Sequence, residues 1–166
     1  MRPPAIACLY LFCVFLLSLS REAVANSGYV WPLLLERALS STFGETRPPG
    51  KAPPASFHAG IDLKTWGKTG YEVRALADGH IMRLRTAPWG YGRVIYQRLR
   101  DGKIAVYAHL QAFAEPMAAR VEQSQQQSQR YTTDLWVEPD EIVIDRGQVI
   151  AWTGKSGAGP PHLHLE

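Results

Sequence analysis

The sequence predicts a mainly β fold: an antiparallel β-sheet protein with a short N-terminal helix and an inserted helix or loop segment. Between residues 57 and 110, apolar and polar residues alternate with the period of two that is typical of half-buried strands. Turn dipeptides such as Asp78-Gly79 and Asp101-Gly102 separate these stretches. No stretch has the strand–helix–strand spacing that a parallel sheet requires, so we expect antiparallel pairing.

Residues 1–25 have the pattern of a signal peptide. Arg2 supplies the positive start, residues 5–19 are apolar, and Ala23-Val24-Ala25 offers small residues for cleavage before Asn26. An uncleaved membrane anchor is the alternative, although the apolar run is short for a bilayer span. We therefore expect export to the cell envelope or secretion, with membrane contact only through this segment if it is not cleaved. Both cysteines lie within it, so the mature chain has no disulfide. A bound metal is then the cross-link available to stabilise it.

The rest of the chain divides into a lead-in and one domain. Residues 26–39 have the apolar spacing of a short amphipathic helix. Residues 40–56 are rich in Pro and Gly, which excludes a helix or a central strand. The domain then spans residues 57–166, with an insertion at about 111–146 that begins as a polar helix or loop after Pro116.

Strand composition recurs along the whole domain, and it places residues on faces. The predicted strands are Tyr71–Leu76, Ile81–Leu84, Arg93–Gln97, Ile104–His109, Tyr131–Val137, Ile142–Ile144, Gln148–Thr153 and the terminal His162-Leu163-His164 strand. Because successive side chains on a strand alternate, Ala105, Tyr107 and His109 are predicted to share one face of their strand.

A cluster of metal-binding residue types is the most informative feature. His162 and His164 are two residues apart, which puts both imidazoles on one face of a strand. His58 and Asp62 lie four residues apart on a Gly-containing segment, close enough to bind the same metal ion. One histidine of the terminal pair would complete the three ligands of a catalytic zinc. His109 and the other terminal histidine would remain for general base catalysis or for stabilising an oxyanion.

Charge and missing motifs exclude several other functions. The net charge is +3 and the pI is near 9.0, with no long basic run, which is too weak to indicate a nucleic-acid partner. Gly154-Lys155-Ser156-Gly157 lacks the upstream glycine of a phosphate-binding loop. No nucleophile elbow around a serine is present either. Metal-assisted hydrolysis is therefore the chemistry that the residues favour.

Motifs in a fixed order carry a family resemblance. The functional ones are His58-x-x-x-Asp62, Tyr107-Ala108-His109-Leu110 and His162-Leu163-His164. Framework motifs accompany them: Thr42-Phe43-Gly44-x-x-Arg47, Gly60-Ile61-Asp62-Leu63, Val73-x-Ala75-x-Ala77-Asp78-Gly79, Gly90-Tyr91-Gly92 and Gly147-Gln148-Val149-Ile150. Together they resemble the lysostaphin-type (LytM-type) zinc metalloendopeptidases of bacterial cell walls, over about residues 41–110 and 145–166.

This resemblance implies a fold, a metal and an activity. It implies a mainly antiparallel β-fold with zinc bound in a groove by His58, Asp62 and His164. It also implies that His109 and His162 form the catalytic pair around the metal-bound water. The reaction would be hydrolysis of peptide bonds in peptidoglycan bridges or cross-links, with peptidoglycan peptides as partners.

A non-catalytic function remains as the alternative. A module of the same fold could bind the cell wall and activate a separate peptidoglycan amidase, which would make a regulatory protein its partner. Such modules typically lose metal ligands, whereas every ligand position is filled here, which favours the enzyme. A biotinyl- or lipoyl-carrier domain is a more distant possibility, but no acceptor lysine in a Met-Lys turn is present.

The sequence departs from the family pattern in three places. The 111–146 insertion is longer than the usual link and is expected to form a lid or groove wall. The last strand stops at Glu166, so we expect it to fray, or the chain to be a fragment or its sheet to lack a strand. No tyrosine lies just upstream of His58, Tyr29 being the nearest, which favours D-alanyl-diaminopimelate cross-links over glycine bridges.

Overall fold

The computed structural model describes residues 28–47, 56–139, 141–157 and 159–166. The predicted signal peptide and residues 48–55 of the Pro-rich segment lie outside these residues. Within them, no helix is long and apolar enough to cross a membrane.

The described residues form thirteen short strands and one helix. In chain order they are β1 (Leu39–Ser41), β2 (Thr46–Arg47), β3 (Ser56–Phe57), β4 (Ile61–Lys64), β5 (Glu72–Arg74), β6 (Gly79–Thr86), β7 (Arg93–Leu99), β8 (Ile104–Ala108), β9 (Leu110–Phe113), α1 (Met117–Ser128), β10 (Thr133–Trp136), β11 (Val143–Ile144), β12 (Val149–Thr153) and β13 (His162–Leu165). The mainly β fold class predicted from the sequence is confirmed.

Antiparallel pairing joins these strands into two sheets and a small ribbon. The large sheet has the order β1-β4-β13-β8-β7-β6-β10, with β11 also paired to β6. The small sheet has the order β5-β12-β9, and β2 pairs with β3. One apolar core contains residues from both sheets, including Leu63, Leu163, Tyr107, Val73 and Ile150. Burial of these side chains holds the large sheet against the small one.

Tyr107 links the two sheets through hydrogen bonds inside this core. Its side chain is fully buried. The hydroxyl accepts from the Leu76 backbone N–H at 2.9 Å and donates to Gln97 Oε1 at 2.8 Å. Gln97 in turn donates from Nε2 to the Ala77 carbonyl at 2.8 Å. A strand of the large sheet is thereby tied to the segment that follows β5 of the small sheet.

The N-terminal helix predicted over residues 26–39 is wrong. Residues 32–35 form a bend, and β1 already begins at Leu39. The Val30 N–H donates to the Leu76 carbonyl, and the Pro32 carbonyl accepts from the Arg74 N–H, both at 2.8 Å. These bonds extend the edge of β5 and leave no helical pattern. The apolar spacing was misleading, because Leu34 is 75% exposed while its neighbour Leu33 is buried.

Residues 111–146, the predicted insertion, were expected to begin as a polar helix or a loop, and the structure has a helix there. The helix α1 begins directly after Pro116 and is polar on most sides, but Met117 and Val121 are buried. It contacts β9 and β10. The insertion also contributes β10, which pairs with β6 at the far edge of the large sheet from β1.

The terminal strand does not fray as expected. It lies inside the large sheet, paired with β4 on one side and β8 on the other, and all four of its residues are buried. The backbone of Glu166 continues this pairing through two hydrogen bonds with Val106. Pairing on both sides keeps the strand in place up to its last residue.

We expect Tyr107→Phe to lower the free energy of unfolding by about 1–3 kcal/mol, because it leaves the Leu76 N–H and the buried Gln97 Oε1 without their partner. Urea denaturation followed by circular dichroism measures this loss. Tyr96→Phe is the matched control, since the Tyr96 hydroxyl has no hydrogen-bond partner among the described residues. Equal losses in the two variants would contradict the role given to the Tyr107 hydroxyl.

Candidate metal centre

The register of β13 against β4 brings the predicted ligand residues together. His164 pairs directly with Asp62, and Leu163 pairs with Leu63. Because side chains alternate along a strand, the two leucines point into the core while His164 and Asp62 share the opposite face. His58 approaches from the segment before β4, where the His58 N–H donates to the Glu45 carbonyl at 2.8 Å.

Three side-chain atoms converge at this point. His58 Nε2 lies 2.9 Å from His164 Nδ1 and 3.1 Å from Asp62 Oδ1. His164 Nδ1 lies 2.9 Å from the same Asp62 oxygen. All three residues are buried, and together they form the group of His and Asp side chains that could hold a metal ion.

Hydrogen bonds on the far side of each ring determine which nitrogen carries the proton. His58 Nδ1 lies 2.8 Å from the Thr42 carbonyl, which can only accept, so Nδ1 is the N–H and Nε2 carries the lone pair. His164 Nε2 lies 3.0 Å from Glu166 Oε1 in the same way, which leaves the lone pair of the neutral ring at Nδ1. Two nitrogen lone pairs and a carboxylate oxygen therefore face one another.

Acceptor atoms this close repel one another unless a cation lies among them. A proton is the simplest such cation: burial disfavours charge on His164, but hydrogen bonds to Asp62 and Glu166 outweigh burial and raise its pKa. Zinc would satisfy all three atoms at once. Its bonds of about 2.0–2.1 Å at tetrahedral angles separate ligand atoms by about 3.3 Å, so the triangle needs to widen by only a few tenths of an ångström. The donor set therefore fits zinc.

Arg47 donates a hydrogen bond to the other oxygen of the Asp62 carboxylate. Its Nη2 donates to Asp62 Oδ2 at 2.9 Å and to Ser41 Oγ at 2.9 Å. Burial alone would raise the pKa of Asp62, but the bonds from His164 and Arg47 outweigh burial and hold this pKa well below its usual range. Asp62 is therefore a carboxylate at neutral pH, with one oxygen committed to Arg47 and the other to the histidines.

The second histidine pair lies beside this triangle. The rings of His109 and His162 have centroids 4.6 Å apart, and His162 Nε2 is 3.4 Å from Asp62 Oδ1. His109 Nδ1 donates to the Ser156 carbonyl at 2.9 Å, and His162 Nδ1 donates to the Pro160 carbonyl at 2.7 Å. Burial lowers the pKa of His109 to about 4, so its Nε2 is free to accept a proton at neutral pH.

His109 reaches the site through a break in the strand pattern. Strict alternation would place it beside Tyr107 and Ala105, as the sequence predicted, but that face lies in the core. His109 instead adopts a positive φ of 60°, between β8 and β9. This conformation turns its ring to the face of His162 and His164, and Leu110 then returns to the core. The predicted face of His109 is therefore wrong, although it lies at the site.

One further histidine and Tyr29 lie away from the site, and a different tyrosine lies in it. His80 lies in β6, paired with Arg98, and does not line the groove. Tyr29 donates to Asp101 at 2.5 Å, in an exposed contact away from the site. A different tyrosine, Tyr91, lies in the site, where its ring stacks on His164 with centroids 5.3 Å apart.

Sequence reasoning did not assign roles to Tyr91, Glu166 or Arg47. The Tyr91 hydroxyl donates to the Glu166 carboxylate, which also accepts from His164. Burial and this bond raise the pKa of Tyr91 above its usual range. Glu166 follows His164 by two residues, so the strand period could have indicated that it shares the face of His164.

The five predicted site residues line one groove of about 710 Å³. Its walls include Lys64, Trp66, Gly90, Tyr91 and Pro160. The structure thus brings together His58, Asp62, His109, His162 and His164, with a metal-binding triangle on one side and a histidine pair on the other. This arrangement can bind a divalent cation and transfer protons beside it.

The comparisons with known proteins concern the fold and the family. The chain matches the model of peptidase family M23 over residues 56–166. A comparison with curated proteins gave no significant match.

Several solved structures are similar. A zinc-containing peptidase from Vibrio cholerae is 23% identical, with a TM-score of 0.57 over 84% of this chain and 36% of that chain. The catalytic domain of the antimicrobial peptidase lysostaphin from Staphylococcus simulans is 22% identical, with a TM-score of 0.53 over 78% of this chain and 77% of that chain. A complex of SpoIIIAH and SpoIIQ is 20% identical, with a TM-score of 0.56 over 83% and 90%.

These likenesses establish the shared fold. The chain spans 36% of the length of the Vibrio cholerae chain.

We expect the purified protein to bind one zinc ion, and Glu166→Ala to weaken binding about tenfold to hundredfold. The reason is that a carboxylate hydrogen-bonded to a histidine ligand fixes its ring and tautomer. Competition with a chromogenic chelator measures the affinity. Glu122→Ala, on the exposed face of α1, is the control and should bind zinc as the wild type does. Equal zinc affinity of Glu166→Ala and the wild type would contradict the role of Glu166.

Proposed function

Because the chain belongs to peptidase family M23, we propose that it is a zinc-dependent endopeptidase that hydrolyses peptide bonds in peptidoglycan cross-links. The observation that carries this proposal is the triangle of His58 Nε2, Asp62 Oδ1 and His164 Nδ1, with pairwise distances of 2.9–3.1 Å. Three protein ligands of this kind, with a fourth position left for water, are the arrangement of a catalytic zinc.

His58, Asp62 and His164 would hold the metal. When bound, zinc lowers the pKa of a ligated water towards about 7 and polarises the scissile carbonyl. The hydrogen bond from Arg47 to Asp62 Oδ2 supports this geometry, because it leaves only Oδ1 to face the two histidines. A carboxylate that contributes one oxygen does not block the position that the water needs.

His109 and His162 would handle the protons. His109 is neutral at neutral pH and presents Nε2 to the groove, so it accepts a proton from the attacking water and delivers one to the leaving amine. His162 lies opposite, and because its Nδ1–H is committed to the Pro160 carbonyl, its imidazolium form would donate a hydrogen bond from Nε2 to the oxygen of the tetrahedral species. The Ser156 and Pro160 carbonyls hold both rings in the orientation that this division of roles requires.

A non-catalytic module that activates an amidase is the competing hypothesis. Similarity to a SpoIIIAH–SpoIIQ complex supports protein partners as a property of this fold. A partner-binding module, however, has no need for four histidines whose outer nitrogens are all anchored and whose inner nitrogens converge. We therefore favour the enzyme, acting on peptidoglycan after export.

Incubation of the purified protein with peptidoglycan sacculi tests the proposal. We expect new free amines at cross-linking peptide bonds, identified by mass spectrometry of the released muropeptides, and their loss on addition of a chelator. His58→Ala or Asp62→Ala should abolish release, because each removes a metal ligand. Full release by either variant would contradict the metal site, and stimulation of an amidase without peptide cleavage would support the competing hypothesis.

The two proton-transfer histidines can be tested separately from the metal. We expect His109→Ala to lower kcat/KM about 10²- to 10⁴-fold, the usual contribution of a general acid–base residue, while zinc binding remains stoichiometric. His80→Ala provides the same substitution outside the groove and should retain activity. Loss of zinc in His109→Ala would assign this residue to the metal rather than to the proton.

A further inference from the structure

Lys64 extends from the strand that carries Asp62 into the same groove. It follows Asp62 by two residues on β4, so both side chains are on one face, and it pairs with His162 across the sheet. Directly opposite residues on antiparallel strands have Cβ atoms about 4.5–5.5 Å apart. The lysine side chain therefore begins beside the proton-transfer histidine and lines the groove with it.

Lys64 has no protein counter-ion among the described residues of the chain. The charged residues among those that line the groove, apart from the histidines, are Arg47, Asp62 and Lys64. Arg47 already pairs with Asp62. Lys64 lines the groove but forms no salt bridge with any described residue, so no described acidic side chain there is left to pair with its ammonium group.

Trp66 holds this ammonium group at the edge of the groove. The Lys64 Nζ lies over the Trp66 ring, 5.5 Å from its centroid. Trp66 adopts a positive φ of 54°, an uncommon conformation for a residue with a side chain, and the residue is 54% exposed. A cation–π contact orients the ammonium group but does not neutralise it, so the charge remains available to an anion.

We propose that Lys64 forms a subsite that binds a free carboxylate of the substrate peptide next to the scissile bond. This inference rests on the proposed function, since it names the peptides that the groove would select. Two residues of extended strand separate the Cα atoms of Lys64 and Asp62 by about 6.6 Å, the length of about two residues of an extended peptide lying along the groove. The carboxylate would therefore belong to a residue within about two positions of the cleaved bond.

Two carboxylates of a cross-link have this chemistry. One is the side-chain carboxylate of a diamino acid whose amine forms the cross-link, and the other is the C-terminal α-carboxylate of the peptide stem. Both would pair with a lysine ammonium group at the edge of a groove. A binding and cleavage experiment can distinguish them by amidating one at a time.

The experiment uses a soluble cross-linked peptide in three forms: with both carboxylates free, with the diamino-acid carboxylate amidated, and with the C-terminal carboxylate amidated. For the zinc-loaded wild type we expect kcat/KM to fall about tenfold to hundredfold for one amidated form, the effect of losing one hydrogen bond to a charged group. Lys64→Met should show the same fall with the free form and no further fall with that amidated form.

Lys68→Met is the control, because Lys68 is exposed on the turn after Trp66 and does not line the groove. It should keep the preference of the wild type for the form with both carboxylates free.

Calorimetry with His109→Ala gives a second readout. The form with both carboxylates free should bind about tenfold to hundredfold more tightly than the amidated form that the wild type cleaves more slowly. Cleavage of all three forms at equal rates overturns the subsite alone. Failure of the wild type to cleave any form overturns the proposed function. Calorimetry then tests the subsite independently of cleavage, and equal binding of all three forms overturns it.

Discussion

The mutual approach of three acceptor atoms is the constraint on which the rest of the site depends. His58, Asp62 and His164 place two lone pairs and a carboxylate oxygen within 3.1 Å of one another. Such an arrangement is unfavourable unless a cation is bound, so the fold must hold it with other interactions. Those interactions are the pairing of β13 between β4 and β8 and the packing of Leu63 and Leu163 beneath it.

Hydrogen bonds also fix the orientation of the histidine rings. In each of the four groove histidines, the ring nitrogen that points away from the groove donates a hydrogen bond to a fixed acceptor: the Thr42, Ser156 and Pro160 carbonyls and the Glu166 carboxylate. Because a backbone carbonyl can only accept, three of the four tautomers follow from the chain's own folding. The loops around the groove therefore determine the chemistry of the histidines as much as the strands determine their positions.

The sequence predicted more about the site than about the chain that positions it. Metal ligands must come as particular residue types at particular spacings, so the motifs around His58 and His164 indicated both the family and the cluster. The bend at residues 32–35 depends on hydrogen bonds to Leu76 and Arg74, which are far along the chain, and local apolar spacing carries no information about them. The positive φ of His109 could not be predicted for a similar reason, because the alternation of apolar and polar residues does not reveal a single residue whose backbone leaves the strand conformation.

Asp62 shows why the charges of this site have to be considered together. One oxygen of its carboxylate is bound by Arg47, while the other faces His58 and His164 and lies 3.4 Å from His162. A carboxylate shared in this way would donate less charge to a bound metal than a free one, and the metal would remain a stronger Lewis acid. In the proposed enzyme, Arg47 would therefore act through Asp62, without touching the substrate. The same pairing removes Arg47 as a binding group for anions, which leaves Lys64 as the unpaired lysine or arginine among the described residues that line the groove.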